Sequence, residues 1–156
     1  MTPRQIAVIA AVAFAILSPI LQSLGNIGLT ASEFADSGNQ TLRAASYAFS
    51  IWSVIYAGLV AFAIWQALPR NRDSDLMDRL GWPAAATIVG IGAWIWASAL
   101  DARWASVAII VLSAAVLIGG LVWAQRRDPG TFLDWILAWW PLGLLAGWLT
   151  IAAALN

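Results

Sequence analysis

The stretch Phe49-Ser-Ile-Trp-Ser-Val-Ile-Tyr56 opens a long apolar segment and carries three aromatic residues at helical spacing. Phe49, Trp52 and Tyr56 occupy positions i, i+3 and i+7, so a helix would place their rings on one face. Leu, Ile and Val are enough to dissolve a helix in lipid. A face of large flat rings indicates instead that this helix meets a flat ligand or packs tightly against another helix.

The composition around this stretch is typical of a polytopic membrane protein. Of the 156 residues, 62% are hydrophobic and only 10% are charged. The net charge of zero gives no support for a nucleic-acid partner or for a polybasic membrane patch. The chain has no Cys, His or Lys, which removes thiol and imidazole catalysis, Schiff bases and the usual haem and zinc ligands. We therefore expect no covalent cofactor and no bound metal.

Five apolar segments approach the roughly 20 residues that a membrane-spanning helix requires. They predict an all-α protein, a five-transmembrane-helix bundle that forms a single domain over residues 1–156 and has the lipid bilayer as a partner. The predicted helices lie at about 5–24, 45–68, 82–100, 104–124 and 131–155.

The connections between these segments differ in character. The longest, 25–44, is rich in Gly and polar residues and is either a solvated connector or a lid over a cavity. The charged connector Pro69–Arg79 is predicted to hold one turn of surface helix capped by Ser74. Pro83 then fits the first turn of the third helix, where proline is tolerated.

The last segment begins and ends with polar residues that need an explanation. Thr131 and Asp134 fit a helix-capping pair, which explains Asp134 more simply than an intramembrane carboxylate with a function. Asn156 ends the chain without a charged anchor. Either the helix just reaches the outer interface, or the natural chain continues beyond Asn156.

The arginines predict an orientation. One side of a five-span topology carries six of them and the other carries two, so the positive-inside rule places the N-terminus in the cytoplasm and the loop 25–44 outside. The six are Arg4, Arg70, Arg72, Arg79, Arg126 and Arg127, and the two are Arg43 and Arg103.

Eleven tryptophans are the main indication of function. Those near helix ends are predicted to form interfacial belts. This belt group consists of Trp65, Trp82, Trp104, Trp123 and Trp135.

A second group of tryptophans lies deeper. At about 1.5 Å per residue, Trp52, Trp94, Trp96 and Trp148 fall roughly 8–12 Å inside the outer ends of three helices. These indoles either pack helix against helix or form the wall of an apolar ligand pocket. Ser53, Tyr56, Ser98, Thr150 or Asn156 would supply the polar groups of such a pocket.

Helix five also carries the close-packing pattern Gly143-x-x-x-Gly147. Trp148, Ala152 and Asn156 follow one another at intervals of four on a different face. The glycine face can pack inside the bundle or support a homodimer, and the sequence leaves both open.

These residues resemble the TspO/MBR family, the tryptophan-rich sensory proteins related to the mitochondrial translocator protein. The resemblance rests on Phe49-Ser-Ile-Trp52 with Tyr56 and on Trp148-Leu-Thr-Ile-Ala152-Ala-Ala-Leu155-Asn156. The five-helix count, the long first loop and the tryptophan content agree along the whole chain. The loop 25–44 lacks the family's Trp-Tyr and Lys-Pro-Pro elements, and Gly90-Ile-Gly-Ala-Trp94 lacks its Asn, so the chain resembles a divergent branch.

The resemblance implies an often dimeric bundle of a bacterial inner membrane, with a cavity under the first loop that binds protoporphyrin IX or a related tetrapyrrole. Trp52 and Trp148 would line that cavity. It also implies that light-dependent porphyrin degradation, an activity of some members, is conceivable here. The full set of predicted ligand-binding residues is Phe49, Trp52, Tyr56, Trp94, Trp148, Ala152 and Asn156.

The leading hypothesis is therefore an integral membrane receptor or sensor for a flat, apolar small ligand. The alternative is an accessory or structural subunit packed in a larger membrane complex. A transporter is disfavoured because ion-coupled carriers usually need ionisable groups at mid-membrane, whereas the charged residues here lie in or near loops. No catalytic dyad or triad is evident.

Overall fold

The structure, a computed structural model, describes residues 1–36, 50–127 and 130–155, and within these ranges it contains helices and no β-strand. The predicted all-α class is confirmed. The helices are α1 (Pro3–Leu24), α2 (Ala31–Asp36), α3 (Ile51–Ala67), α4 (Asp75–Ala99), α5 (Arg103–Gln125), α6 (Phe132–Asp134) and α7 (Trp140–Leu155), with a 3-10 turn at Pro69–Asn71 and a π-helical turn at Trp135–Trp139.

Four segments are long and apolar enough to cross a membrane. They are α1, α4, α5 and the last segment, in which α6, the π-helical turn and α7 follow one another without a break. α3 is a shorter apolar helix of 17 residues. Residues 45–49, which were predicted to begin it, lie outside the described residues.

The five apolar segments form a closed ring. α1 packs against α3 and α4, α4 against α5, α5 against α7, and α7 against α3. Contacts along the helices show that α1 and α4 run parallel, since Arg4 meets Asp78 and Ser18 meets Trp96, whereas the other neighbours in the ring run antiparallel. At one end, which we call the polar end, Arg4 of α1 meets Gln66 of α3. At the other, the aromatic end, Trp52 of α3 meets Trp148 of α7.

The interior of the ring is apolar, and so is much of its outer surface. Every helix of the ring contributes fully buried side chains, whereas Leu17, Ile64 and Leu112 are at least half exposed on the outside. Because lipid is as apolar as these side chains, helix association in a membrane depends on close packing. One such contact joins α4 to α5, where a Cβ added to Gly120 would lie only 2.6 Å from Cβ of Pro83. The largest buried apolar side chains include Ile55, Leu59, Phe62, Met77, Leu80, Ile88, Leu117, Leu142 and Leu145.

A buried hydrogen-bond network holds the polar end together. The Arg4 guanidinium, 2% exposed, donates from Nη1 to Oε1 of Gln66 (3.0 Å) and from Nη2 to the carbonyl of Asn71 (2.9 Å). Its Nε also forms an ion pair with Asp78 at 2.6 Å. Gln5 and Gln66 donate to each other's backbone carbonyls. This network ties the start of α1 to the end of α3 and to the start of α4.

The predicted start of the third spanning helix at residue 82 is wrong. α4 begins at Asp75, where the Ser74 hydroxyl accepts a hydrogen bond from the Met77 N–H (3.3 Å), and it continues through Pro83 to Ala99. Ser74 therefore caps the spanning helix itself and not a separate surface turn. Pro83 removes one backbone donor inside the helix, and its ring packs against Gly120 of α5.

The first connection is fixed to the bundle. Its described part, which extends to residue 36, includes the short helix α2. The Leu29 N–H donates to the Ala99 carbonyl (3.2 Å), and the Gln22 amide donates to the carbonyls of Ile27 and Leu29. Gly28 makes this approach possible, because its φ is +64° and a Cβ there would collide with the backbone of Ala99.

The last segment contains a π-helical turn before a proline. The Trp140 N–H donates to the Trp135 carbonyl, one residue further back than in an α-helix. Pro141 has no N–H, and in an α-helix its ring would crowd the carbonyl four residues earlier. The wider turn accommodates this proline. The predicted cap before it is confirmed: Thr131 N–H donates to Oδ2 of Asp134 (2.8 Å), and Asp134 N–H donates to the Thr131 hydroxyl (3.3 Å).

Candidate functional site

An aromatic group at the start of α3 and near the end of α7 forms the centre of the candidate site. The rings of Trp52 and Trp148 meet edge to face, with centroids 6.1 Å apart and planes at 79°. Trp52 also lies 5.5 Å from the Tyr56 ring at a shallow angle of 32°. All three side chains are half-buried against the apolar core. The fold thus joins residues almost a hundred positions apart in one cluster of flat rings.

Tyr56 connects this group to α1. Its hydroxyl donates to the Ala15 carbonyl at 3.3 Å. The ring therefore has a defined position between α3 and α1, and Trp52 lies against it. A phenol held in this way helps to fix the orientation of the neighbouring indole.

Trp94 belongs to a second aromatic group at the same end. Its indole N–H donates to the Ser106 hydroxyl of α5 at 2.7 Å. The Phe34 ring of α2 meets Trp94 edge to face, with centroids 6.4 Å apart. Phe34 is only 5% exposed although it lies in the first connection. It therefore anchors α2 onto the aromatic end of the bundle.

The deeper tryptophans consequently do not all meet. Trp52 contacts Trp148, whereas the ring and hydrogen-bond contacts of Trp94 are with Phe34 and Ser106. Trp96, two residues further along α4, turns to the opposite side and donates to the Ser18 hydroxyl of α1 (3.2 Å). Two positions along a helix correspond to about 200°, so equal depth did not place Trp94 and Trp96 on one face.

The remaining predicted ligand-binding residues have different positions. Ala152 is half-buried one helical turn after Trp148 and packs against the core. Phe49 and Asn156 lie outside the described residues.

The polar side chains suggested for the pocket mostly turn away from it. Ser53 and Thr150 are exposed, and the Thr150 hydroxyl donates to the Gly147 carbonyl of its own helix (2.7 Å). Ser98 likewise donates to the Ile95 carbonyl (2.9 Å). Among the described residues, the hydroxyls of Tyr56 and Ser106 lie at the aromatic groups, and both are hydrogen-bonded.

Trp65 is not a belt residue, which corrects the prediction from its place at a helix end. It is 7% exposed, and its indole N–H donates to Oδ1 of Asp134 at 2.9 Å. The Arg70 guanidinium lies 4.0 Å from the ring centroid. This contact fastens α3 to the start of the last segment at the polar end. The other four residues of the predicted belt are more than half exposed, namely Trp82, Trp104, Trp123 and Trp135.

Sequence reasoning missed Phe34 and Ser106 as neighbours of Trp94. Thr30 and Glu33 form a Ser/Thr-x-x-Glu capping pattern, which predicts the helix that carries Phe34. The contact between Trp94 and Ser106 could have been predicted from the short turn between α4 and α5. An antiparallel pair with its turn near residue 100 brings residues 94 and 106 to the same level. Thr87, which donates to the Ser113 carbonyl (3.1 Å), follows the same register.

An all-helical ring with apolar outer faces defines an integral membrane protein of the helix-bundle class. The model of the TSPO-like protein family matches residues 5–156, and the chain belongs to this family. The predicted resemblance and the predicted five-helix membrane bundle are thereby confirmed, and the family indicates a membrane sensor or receptor. No curated protein and no solved structure matches the chain.

Proposed function

We propose that the protein is a membrane receptor or sensor that binds a flat apolar ligand, of the porphyrin type, at the aromatic end. The observation that carries this proposal is the contact between Trp52 and Trp148, which joins two distant parts of the chain. An edge-to-face pair leaves indole faces on which another planar ring can stack. Phe49, Ala152 and Asn156 complete the set of residues that we assign to the ligand.

Binding would rest on stacking and burial. The chain has no His or Cys to ligate a metal at the centre of a porphyrin. Burial of roughly 500 Å² of apolar ligand surface contributes about 12 kcal/mol. Association costs of at least about 4 kcal/mol reduce this to about 8 kcal/mol, which corresponds to a micromolar dissociation constant.

The helix α2 supports a role for the first connection as a cover over the ligand. Its Phe34 ring is buried against Trp94, and its preceding residues are fixed to the end of α4 by the Leu29–Ala99 hydrogen bond. A ligand near Trp94 would then be shielded from water by α2.

The arginines support a cytoplasmic polar end in a bacterial inner membrane. Arg70, Arg72, Arg126 and Arg127 are exposed there, near the starts and ends of four helices. With Arg4 and Arg79 they give the positive side of the protein. The aromatic end and α2 would then face outward.

Titration with protoporphyrin IX tests the proposal through quenching of tryptophan fluorescence. We expect the double variant Trp52→Leu/Trp148→Leu to bind at least about tenfold more weakly, because aromatic contacts of this kind contribute about 1 kcal/mol each beyond burial. The matched control is Trp104→Leu/Trp135→Leu, which removes two exposed indoles. Equal affinities for the parent chain and the site variant would refute the proposal.

A second candidate is an accessory subunit of a larger assembly, or a homodimer, and one observation favours it. A Cβ added to Gly143 or Gly147 would meet none of the described residues within 4 Å, so these residues do not cover this face of α7. It remains available to another helix. Gly143→Leu/Gly147→Leu would abolish the assembly in light-scattering measurements and leave porphyrin affinity unchanged.

A further inference from the structure

The net charge of zero conceals an uneven distribution of charge at the polar end. On the outer side of α4 and α5 the fold brings together three arginines and two exposed indoles. We call this surface the arginine–indole patch; it consists of Arg79, Trp82, Trp123, Arg126 and Arg127. The composition gave no support for a polybasic patch because it reports only the net charge. The fold nevertheless gathers three arginines on this surface.

One direct contact and the packing of α5 on α4 place these residues near one another. The packing of Gly120 against Pro83 brings the end of α5 beside the first turns of α4. There the Arg79 guanidinium lies 5.8 Å from the Trp123 ring centroid. Arg126 and Arg127 directly follow the end of α5, where their N–H groups still donate to the Val122 and Ala124 carbonyls, so they lie about one turn beyond Trp123.

Two acids of the polar end, Asp78 and Asp134, are engaged outside the patch. Asp78 pairs with Arg4, and Asp134 accepts hydrogen bonds from Thr131 and Trp65. Asp75 lies 3.6 Å from Arg79 but is 83% exposed. Between residues 50 and 127, and in the other described ranges, no carboxylate forms an ion pair with Arg126 or Arg127.

Of the other arginines at this end, Arg4 and Arg70 have guanidinium groups engaged within the protein. Arg4 is buried within the hydrogen-bond network, and Arg70 is stacked on Trp65. Arg72 is exposed but has a carbonyl that already accepts from Arg4 (3.1 Å). The patch is therefore the place where several guanidinium groups and exposed indoles occur together.

We propose that the arginine–indole patch binds the headgroup of an anionic phospholipid. Guanidinium groups match phosphate oxygens through paired hydrogen bonds, and indoles favour the headgroup level of a bilayer. The exposed faces of Trp82 and Trp123 would lie along the glycerol and upper acyl region, while Arg126 and Arg127 hold the phosphate. This site is separate from the aromatic end and does not depend on the porphyrin proposal.

Native mass spectrometry of the detergent-solubilised chain tests this inference, with phosphatidylglycerol and phosphatidylcholine as the probes. We expect retention of phosphatidylglycerol in preference to phosphatidylcholine. In Arg126→Gln/Arg127→Gln that retention should fall at least about tenfold, since each arginine near an anionic headgroup is worth roughly fivefold in affinity. The matched control Arg70→Gln/Arg72→Gln makes the same change of charge at the same end and should lose less than about twofold.

Three results would overturn the proposal. Equal losses in the two variants would show a diffuse charge effect, and equal retention of the two lipids by the parent chain would show no headgroup preference. Displacement of the bound lipid by inorganic phosphate at a comparable concentration would show a site for free anions. Thermal unfolding of both variants shows whether they are folded, and phosphatidylglycerol protection of Trp123 from aqueous iodide quenching gives a second readout in the parent chain.

Discussion

The polar end and the aromatic end of this bundle are held together by different interactions. At the polar end, buried hydrogen bonds of Arg4, Gln66 and Asn71 each require one geometry. At the aromatic end, Trp52, Trp148 and their neighbours meet through ring contacts, which tolerate a range of distances and angles. The difference indicates that the hydrogen bonds of the polar end set the relative position of the helices more tightly than the Trp52–Trp148 ring contact does, and we expect this contact to adapt to the proposed ligand.

The strongest way to break this comparison is Arg4→Met. The change leaves the Gln66 amide oxygen and the Asn71 carbonyl without a buried donor, and we expect a loss of about 3 kcal/mol in the free energy of unfolding. Thermal unfolding in detergent measures the loss. Arg72→Met is the control, because this arginine is exposed and its side chain should contribute less than about 0.5 kcal/mol. Similar losses in the two variants would contradict the conclusion that the buried hydrogen bonds of Arg4 stabilise the polar end.

Gly28→Ala tests the aromatic end, where Gly28 lies against Ala99. A Cβ at this positive φ would collide with the Ala99 backbone, so we expect a loss of about 2 kcal/mol and release of the segment before α2. Hydrogen exchange should increase at the Leu29 amide, which donates to Ala99, and remain unchanged at the amides of the polar end. Gly143→Ala is the control, since the space beside Gly143 is open and alanine favours a helix. Unchanged exchange at Leu29 would show that Gly28 does not anchor the connection.

Trp65→Phe should have a smaller effect. The phenyl ring keeps most of the apolar contact, but the Asp134 carboxylate loses one of its hydrogen bonds. Hydrogen bonds to charged groups contribute about 1.5–3 kcal/mol, and we expect a value at the lower end because Thr131 still donates to Asp134. Unfolding measurements on Trp135→Phe, an exposed indole in the same segment, give the control. A loss no larger than in this control would show that the Trp65–Asp134 hydrogen bond does not stabilise the fold.

The outcome for Trp65 shows what the sequence could and could not predict. Trp65 and Trp82 both lie at the polar end and look alike in a hydropathy profile, yet one is buried and the other is exposed. Distance from a helix end gives depth in the membrane. It does not give the side of the helix, which depends here on Asp134, 69 positions away in the chain.

The same limit applies to the aromatic groups. The number of apolar segments could be predicted from their length, and the approach of the second to the fifth was expected from the depth of their tryptophans and from the family resemblance. The separation of Trp94 from Trp96 could not, since it depends on the serines Ser106 and Ser18 of two different neighbours. The start of α4 was misplaced because Pro83 suggests a first turn, whereas packing against Gly120 allows it inside the helix.

The smallest effect that we predict concerns Glu33, at the start of α2. Hydrogen bonds from the backbone N–H and the hydroxyl of Thr30 hold the pKa of the Glu33 carboxyl below its ordinary value of 4.5. A lowered pKa in the folded state means that this cap contributes fully above pH 4.5 and is lost as the pH falls through the folded value.

Hydrogen exchange of the α2 amides measures this loss. After correction for the intrinsic pH dependence of exchange, protection should decrease modestly between pH 6 and pH 3, which lie roughly one and a half pH units to either side of the ordinary pKa of a glutamate. Glu33→Ala should have low protection at both pH values and no further response, because the carboxylate is the titrating group of the cap. A pH response that persists in Glu33→Ala would assign it to another group. In that case the cover over the aromatic end would depend on Phe34 and Gly28 alone, and the capping pair would be dispensable for closing it.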